Sequence, residues 1–219
     1  MNTQTNRRRF LQNGATITIV PAVVLGRTQA APSNRLTVGL IGCGGRGTGV
    51  MNSFLGQEDT QVIGVCDPYE THFRDRKNGR AFGWKPAAEM VGRKYKTKPC
   101  DHHTDYREMV DRKDLDIVIV GTPDHWHAVQ TLAALRHGKD VYCEKPVTHF
   151  FAEGQAVYRE AAKRKAIFQT GSQQRSEHHF RLAVEIVRNG LIGDVKEVQV
   201  GLPGGTDNDH GDTSAHDYS

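Results

Sequence analysis

Leu36-Thr37-Val38-Gly39-Leu40-Ile41-Gly42-Cys43-Gly44-Gly45-Arg46-Gly47 decides the fold. Its first six residues are too continuously apolar for a strand with one wet face, so they predict a strand buried on both faces. The glycines that follow match G-x-G-x-x-G where a strand gives way to a helix. In that setting Gly42 permits the tight turn, Gly44 lets a pyrophosphate approach the backbone, and Gly47 allows close helix–strand packing. The helix start beyond them offers unsatisfied N–H groups and a positive dipole end to phosphates. Asp67 lies twenty residues after Gly47, closing a second strand predicted over Gln61–Cys66. An acid there accepts hydrogen bonds from an adenosine ribose and repels a 2′-phosphate. The expected ligand is a dinucleotide, NAD in preference to NADP.

Outward from this stretch, short β-rich runs alternate with helical ones. A helix is predicted over Thr48–Leu55, another over Tyr106–Asp111, and a strand over Asp116–Val120. Ala128–His137 reads as a helix with Gly138 as its stop signal. Val141–Cys143 reads as a strand, Ala152–Arg164 as a helix and Ala166–Gln169 as a strand. This alternation predicts an α/β fold, a doubly wound parallel sheet of Rossmann type over residues 35–170. Phe73–Lys98 carries nine Lys or Arg and reads as a solvated insertion with a helix near Pro86–Tyr95. A second unit opens at 171–202, with a helix over Phe180–Asn189 and an alternating strand over Val195–Val200 that has no evident pairing partner. Residues 203–219 form an irregular, polar tail.

The 219 residues are 37% hydrophobic and 25% charged, proportions of a globular chain rather than a disordered one. The formal charge of +4 comes from the N-terminus: four of the 29 bases lie in the first thirty residues, leaving 25 bases against 25 acids. A neutral body argues against nucleic-acid binding. Arg7-Arg8-Arg9-Phe10-Leu11, the apolar stretch Ala15–Leu25 and the small residues before Pro32 predict a twin-arginine export signal over 1–31 and a periplasmic destination. That segment is too short and polar for a stable membrane anchor. The four cysteines could pair in an exported protein; Cys43, Cys66 and Cys143 at strand ends are better read as small buried thiols.

Two further motifs follow strand ends, where open parallel sheets bind ligands. Gly121-Thr122-Pro123-Asp124-His125-Trp126-His127 follows the strand ending at Val120. Its H-x-H pair is poor grounds for a metal, lacking further spaced ligands. Glu144-Lys145-Pro146 follows the next strand, and a lysine there can hold a substrate hydroxyl or carry a proton; a surface salt bridge is the plainer alternative.

In this order and spacing, Gly42–Gly47, Thr122–His127 and Glu144-Lys145-Pro146 resemble the Gfo/Idh/MocA oxidoreductases. Gly171–Arg175 and Gly190–Val195 are similar to that family's entry into its second domain. The resemblance implies a Rossmann domain for NAD or NADP, and hydride transfer between nicotinamide and a hydroxyl carbon of a sugar or cyclitol. It implies a catalytic role for Lys145. It also implies cofactor contacts by Gly42, Gly44, Arg46, Gly47, Asp67, Thr122, Pro123, His127, Glu144 and Lys145. Some relatives use the cofactor transiently to cleave glycosidic bonds. Members run well beyond three hundred residues, so this chain reads as C-terminally truncated, and a non-catalytic dinucleotide-binding module is the alternative. Oligomerisation would run through the second-domain sheet edge.

Overall fold

A computed structural model describes residues 34–73 and 79–201. The expected signal over 1–31 and tail over 203–219 lie outside the described residues. The chain divides after Gly171, and each part is described by itself.

The first part is a six-stranded parallel sheet in the order β5-β2-β1-β6-β7-β8. Its strands are β1 (Leu36–Ile41), β2 (Thr60–Cys66), β5 (Asp101–His103), β6 (Ile117–Val120), β7 (Asp140–Glu144) and β8 (Phe168–Gly171). A two-stranded antiparallel ribbon, β3 (His72–Phe73) with β4 (Ala81–Phe82), stands apart from it. The helices are α1 (Gly45–Leu55), α2 (Trp84–Tyr95), α3 (Tyr106–Asp111), α4 (His127–Arg136) and α5 (Phe151–Arg164). Successive residues of a strand point to opposite faces, so each strand serves two cores. Val38, Leu40, Val62, Val65 and Ile119 pack with Val50, Met51 and Leu55 of α1 and with Ala87, Ala88 and Val91 of α2. Ile41, Cys66, Val118, Val120, Val141 and Cys143 pack with Met109, Val110, Ala128, Ala134, Leu135 and Val157. The sheet is therefore doubly wound. Strand order grows one way from β1 and the other way from β6, which opens a crevice beyond their carboxyl ends.

Two expectations are corrected. The described residues 84–95 are not a solvated insertion: Ala87, Ala88, Val91 and Gly92 form a buried stripe on α2, and Lys85, Arg93 and Lys94 occupy its exposed faces. Arg93 and Lys94 close its last turn, where cations suit the negative dipole end. The short edge strand β5 follows, polar in sequence and defined by its pairing with β2. The Trp84 ring stacks on His102 with centroids 3.7 Å apart, joining α2 to that strand.

The second part holds a short 3₁₀ turn (Gln173–Ser176) and α6 (His178–Arg188). Residues 195–200 form no strand and are exposed. Alternation alone does not make a strand; a ladder partner must accept from its N–H groups and donate to its C=O groups, and none exists among the described residues of this part.

Candidate functional site

The glycine-rich turn is built by close approach. Gly42 sits at φ +91°, and a Cβ there would lie 2.5 Å from the Thr122 nitrogen. A Cβ on Gly47 would lie 2.0 Å from the Gly42 carbonyl oxygen. These two positions therefore exclude every side chain. Gly44 differs: a Cβ on it would meet nothing within 4 Å. It faces open space at the start of α1, whose N-terminus has neither a side-chain cap nor an acid in its first turn. The Thr48 N–H donates to the Gly44 carbonyl at 2.9 Å; the amides ahead of it lie before the first intrahelical bond, as helix starts require. Arg46 adds a cation where the helix dipole is already positive, an arrangement that favours an anion.

Asp67, at the end of β2, is 6% exposed. One carboxylate oxygen accepts the Cys43 N–H at 2.8 Å and the other accepts the Tyr69 N–H at 3.0 Å. A carboxylate has about four lone-pair directions, so Asp67 retains acceptor capacity for a ligand hydroxyl. The Cys43 thiol donates to the Cys66 carbonyl at 3.5 Å. Burial, then the charge of Asp67, pushes both thiols up, that of Cys66 to about 12. Both remain neutral and inert beside the site.

Gly42, Gly44, Asp67, Thr122 and Pro123 open onto one cavity of about 540 Å³ at the carboxyl ends of β1, β2 and β6. The Thr122 hydroxyl donates to the Gln130 amide oxygen at 2.8 Å, which fixes that wall. Trp126 presents a half-exposed ring to the same cavity.

His127 lies behind this wall. It is buried, with one ring nitrogen 2.6 Å from the Pro146 carbonyl oxygen and the other 2.8 Å from that of Thr122. Its ring thus ties the β6 loop to the β7 loop. Glu144 and Lys145, at the end of β7, are away from the cavity lining; Lys145 is exposed and Glu144 buried. The Glu144 carboxylate approaches the Arg46 guanidinium at 3.8 Å. Among the described residues, no group of three His, Cys, Asp or Glu is placed to hold a metal.

An open approach over Gly44, an uncapped helix start and a buried carboxylate on one cavity fit a dinucleotide. The oxidoreductase family defined by glucose–fructose oxidoreductase, inositol dehydrogenase and their relatives, with its NAD-binding Rossmann fold, matches residues 36–172. The chain belongs to the Gfo/Idh/MocA family.

Among its curated relatives, the 2,7-anhydro-N-acetylneuraminate hydratase of Mediterraneibacter gnavus is 29% identical over 154 residues, which are 68% of this chain and 36% of that protein. A glycosyl hydrolase family 109 protein of Solibacter usitatus is 26% identical over 166 residues, 75% of this chain and 36% of that one. This Gfo/Idh/MocA chain thus spans about a third of the length of the curated relatives it matches. Its fold is shared with the scyllo-inositol dehydrogenase of Lactobacillus casei, solved with NAD(H) and scyllo-inositol. That likeness has a TM-score of 0.57 at 20% identity and covers 73% of this chain and 43% of the other.

Four lining residues of this Gfo/Idh/MocA site were not singled out in the sequence: Tyr69, His72, Tyr106 and Gln130. Tyr69 was within reach, two residues beyond Asp67 on the same turn. His72 and Tyr106 come from separate elements that only the folded sheet brings together.

Proposed function

We propose that this chain is the nucleotide-binding part of an oxidoreductase that moves hydride between a nicotinamide, NAD in preference to NADP, and a hydroxyl carbon of a sugar or cyclitol. The observation that carries the reading is the meeting of the Asp67 carboxylate, the open face of Gly44 and the Thr122–Pro123 wall on one cavity beside an uncapped helix start. Gly42, Gly44, Gly47 and Arg46 would hold the pyrophosphate, and Asp67 the adenosine ribose. Thr122 and Pro123 would line the cofactor, with His127 supporting them from behind. When bound, the nicotinamide supplies the hydride acceptor or donor. Lys145, exposed at the end of β7, would hold or carry the proton of the reacting hydroxyl at Nζ, with Glu144 beside it.

The names of two relatives, a hydratase and a glycosyl hydrolase, favour a second reading in which the oxidation is transient and the net reaction is bond cleavage or hydration. The basic N-terminal segment adds export to the periplasm.

Titration of the full chain with NADH, followed by energy transfer from tryptophan to the reduced nicotinamide, tests the binding assignment. Trp126 lines the cavity, so saturable quenching is the expected result, and its absence in a folded sample overturns the reading. Product analysis with polyols and glycosides in the presence of NAD then separates net oxidation from cleavage.

A further inference from the structure

Glu144 is 3% exposed, and both of its carboxylate oxygens are shut away from water, with the Tyr142 hydroxyl beside them. A carboxylate buried with so little hydrogen bonding is costly. Its surroundings are shaped around it. A Cβ on Gly171 would lie 2.7 Å from a Glu144 oxygen and 2.8 Å from the Tyr142 hydroxyl, so a side chain there would displace these two side-chain ends. The nearest cation, Arg46, is 48% exposed and stands at 3.8 Å, beyond hydrogen-bond contact. Its charge is shared with water, whereas that of Glu144 is not. Burial, and after it the charge of Glu144 and a hydrogen bond to it, pushes the Tyr142 hydroxyl above its ordinary value, with Arg46 opposing.

The sheet order says which half of a dinucleotide this field acts on. The pyrophosphate belongs at the glycine-rich turn after β1, and the adenosine ribose at the acid closing β2. The other half must then extend the opposite way, across the ends of β6 and β7, where Glu144 closes β7. The two redox forms differ there by one charge, because the oxidised nicotinamide ring is cationic and the reduced ring neutral. We propose that Glu144 is a specificity-determining residue that favours the oxidised over the reduced cofactor through its buried negative charge, with Arg46 moderating that preference. This inference rests on the dinucleotide reading above.

Affinities for NAD and NADH, measured separately by calorimetry on the full chain, test it without reference to turnover. In Glu144→Gln, which keeps size and removes charge, the ratio of NADH to NAD affinity should rise about five- to tenfold. Glu144→Asp should hold the ratio near the wild-type value. Arg46→Gln should weaken both ligands and move the ratio the opposite way, a result that stands even if Glu144→Gln fails to fold. A ratio unchanged in both Gln variants overturns the inference while leaving the dinucleotide site intact. Failure of the folded wild type to bind either form removes the dinucleotide reading, and this inference with it.

Discussion

The Asp67 carboxylate accepts the N–H of Cys43 at 2.8 Å, so the residue expected to meet the ribose also holds the glycine-rich turn. One acid is therefore assigned two tasks that mutation can separate. In Asp67→Ala the Cys43 amide loses a buried partner, which costs about 1–3 kcal/mol of stability. The same variant should weaken NAD more than NADP, because the repulsion of a 2′-phosphate goes with the carboxylate. Urea unfolding and paired titrations measure the two effects. An unchanged NAD-to-NADP ratio would refute the ribose assignment while leaving the turn-holding role standing.

Gly44 and Gly47 should behave in opposite ways despite sharing one motif. A methyl at Gly47 collides with the Gly42 carbonyl, whereas one at Gly44 enters open space. Gly47→Ala is expected to lose both stability and NADH binding. Gly44→Ala should unfold at the wild-type urea concentration and yet bind NADH at least about tenfold more weakly, since the methyl occupies the approach to the helix amides. Wild-type affinity in Gly44→Ala would show that no phosphate approaches there.

His127 joins two loops through carbonyl oxygens alone, at Thr122 and Pro146. His127→Leu keeps the ring's bulk in part but supplies no donor. Loss of the buried ring N–H bond should cost about 1–3 kcal/mol, read as a lower urea midpoint with an unchanged slope. A midpoint equal to the wild type would mean that the ring merely fills space.

Burial pushes four thiols up, those of Cys66 and Cys100 to about 12 and that of Cys143 to about 11, with Cys43 also well raised. An unfolded chain ionises its thiols near the ordinary value, about 9. Above that pH the unfolded state has released protons that the folded state keeps, so folding stability falls as pH rises. The thiols' contribution is complete below about pH 9 and disappears progressively towards 11–12. Unfolding at pH 7.5 and pH 10 should show a smaller pH-dependent loss in Cys143→Ala than in the wild type. Equal losses would mean that this thiol is not withheld from ionisation in the folded state.

What the sequence by itself determined was everything governed by neighbours along the chain. The apolar run Leu36–Ile41, the glycine spacing to Gly47 and the acid at Asp67 dictated a parallel Rossmann sheet and its first turn, because strand burial and turn geometry depend on a few consecutive residues. Tyr106–Asp111 was legible to the residue for the same reason: Asp105 caps it, accepting the Arg107 N–H at 2.8 Å. Only the tertiary structure decided that the basic segment before Lys98 buries an alanine stripe against the sheet, that Asp101–His103 pairs as an edge strand, and that residues 195–200 do not pair. It alone set His127 behind the cavity wall, brought Tyr106 and His72 to the cavity, and left Glu144 buried beside Arg46. Each of these depends on what a distant segment offers as a partner, and hydrogen-bond ladders, burial and desolvated charge are properties of pairs that no local pattern encodes.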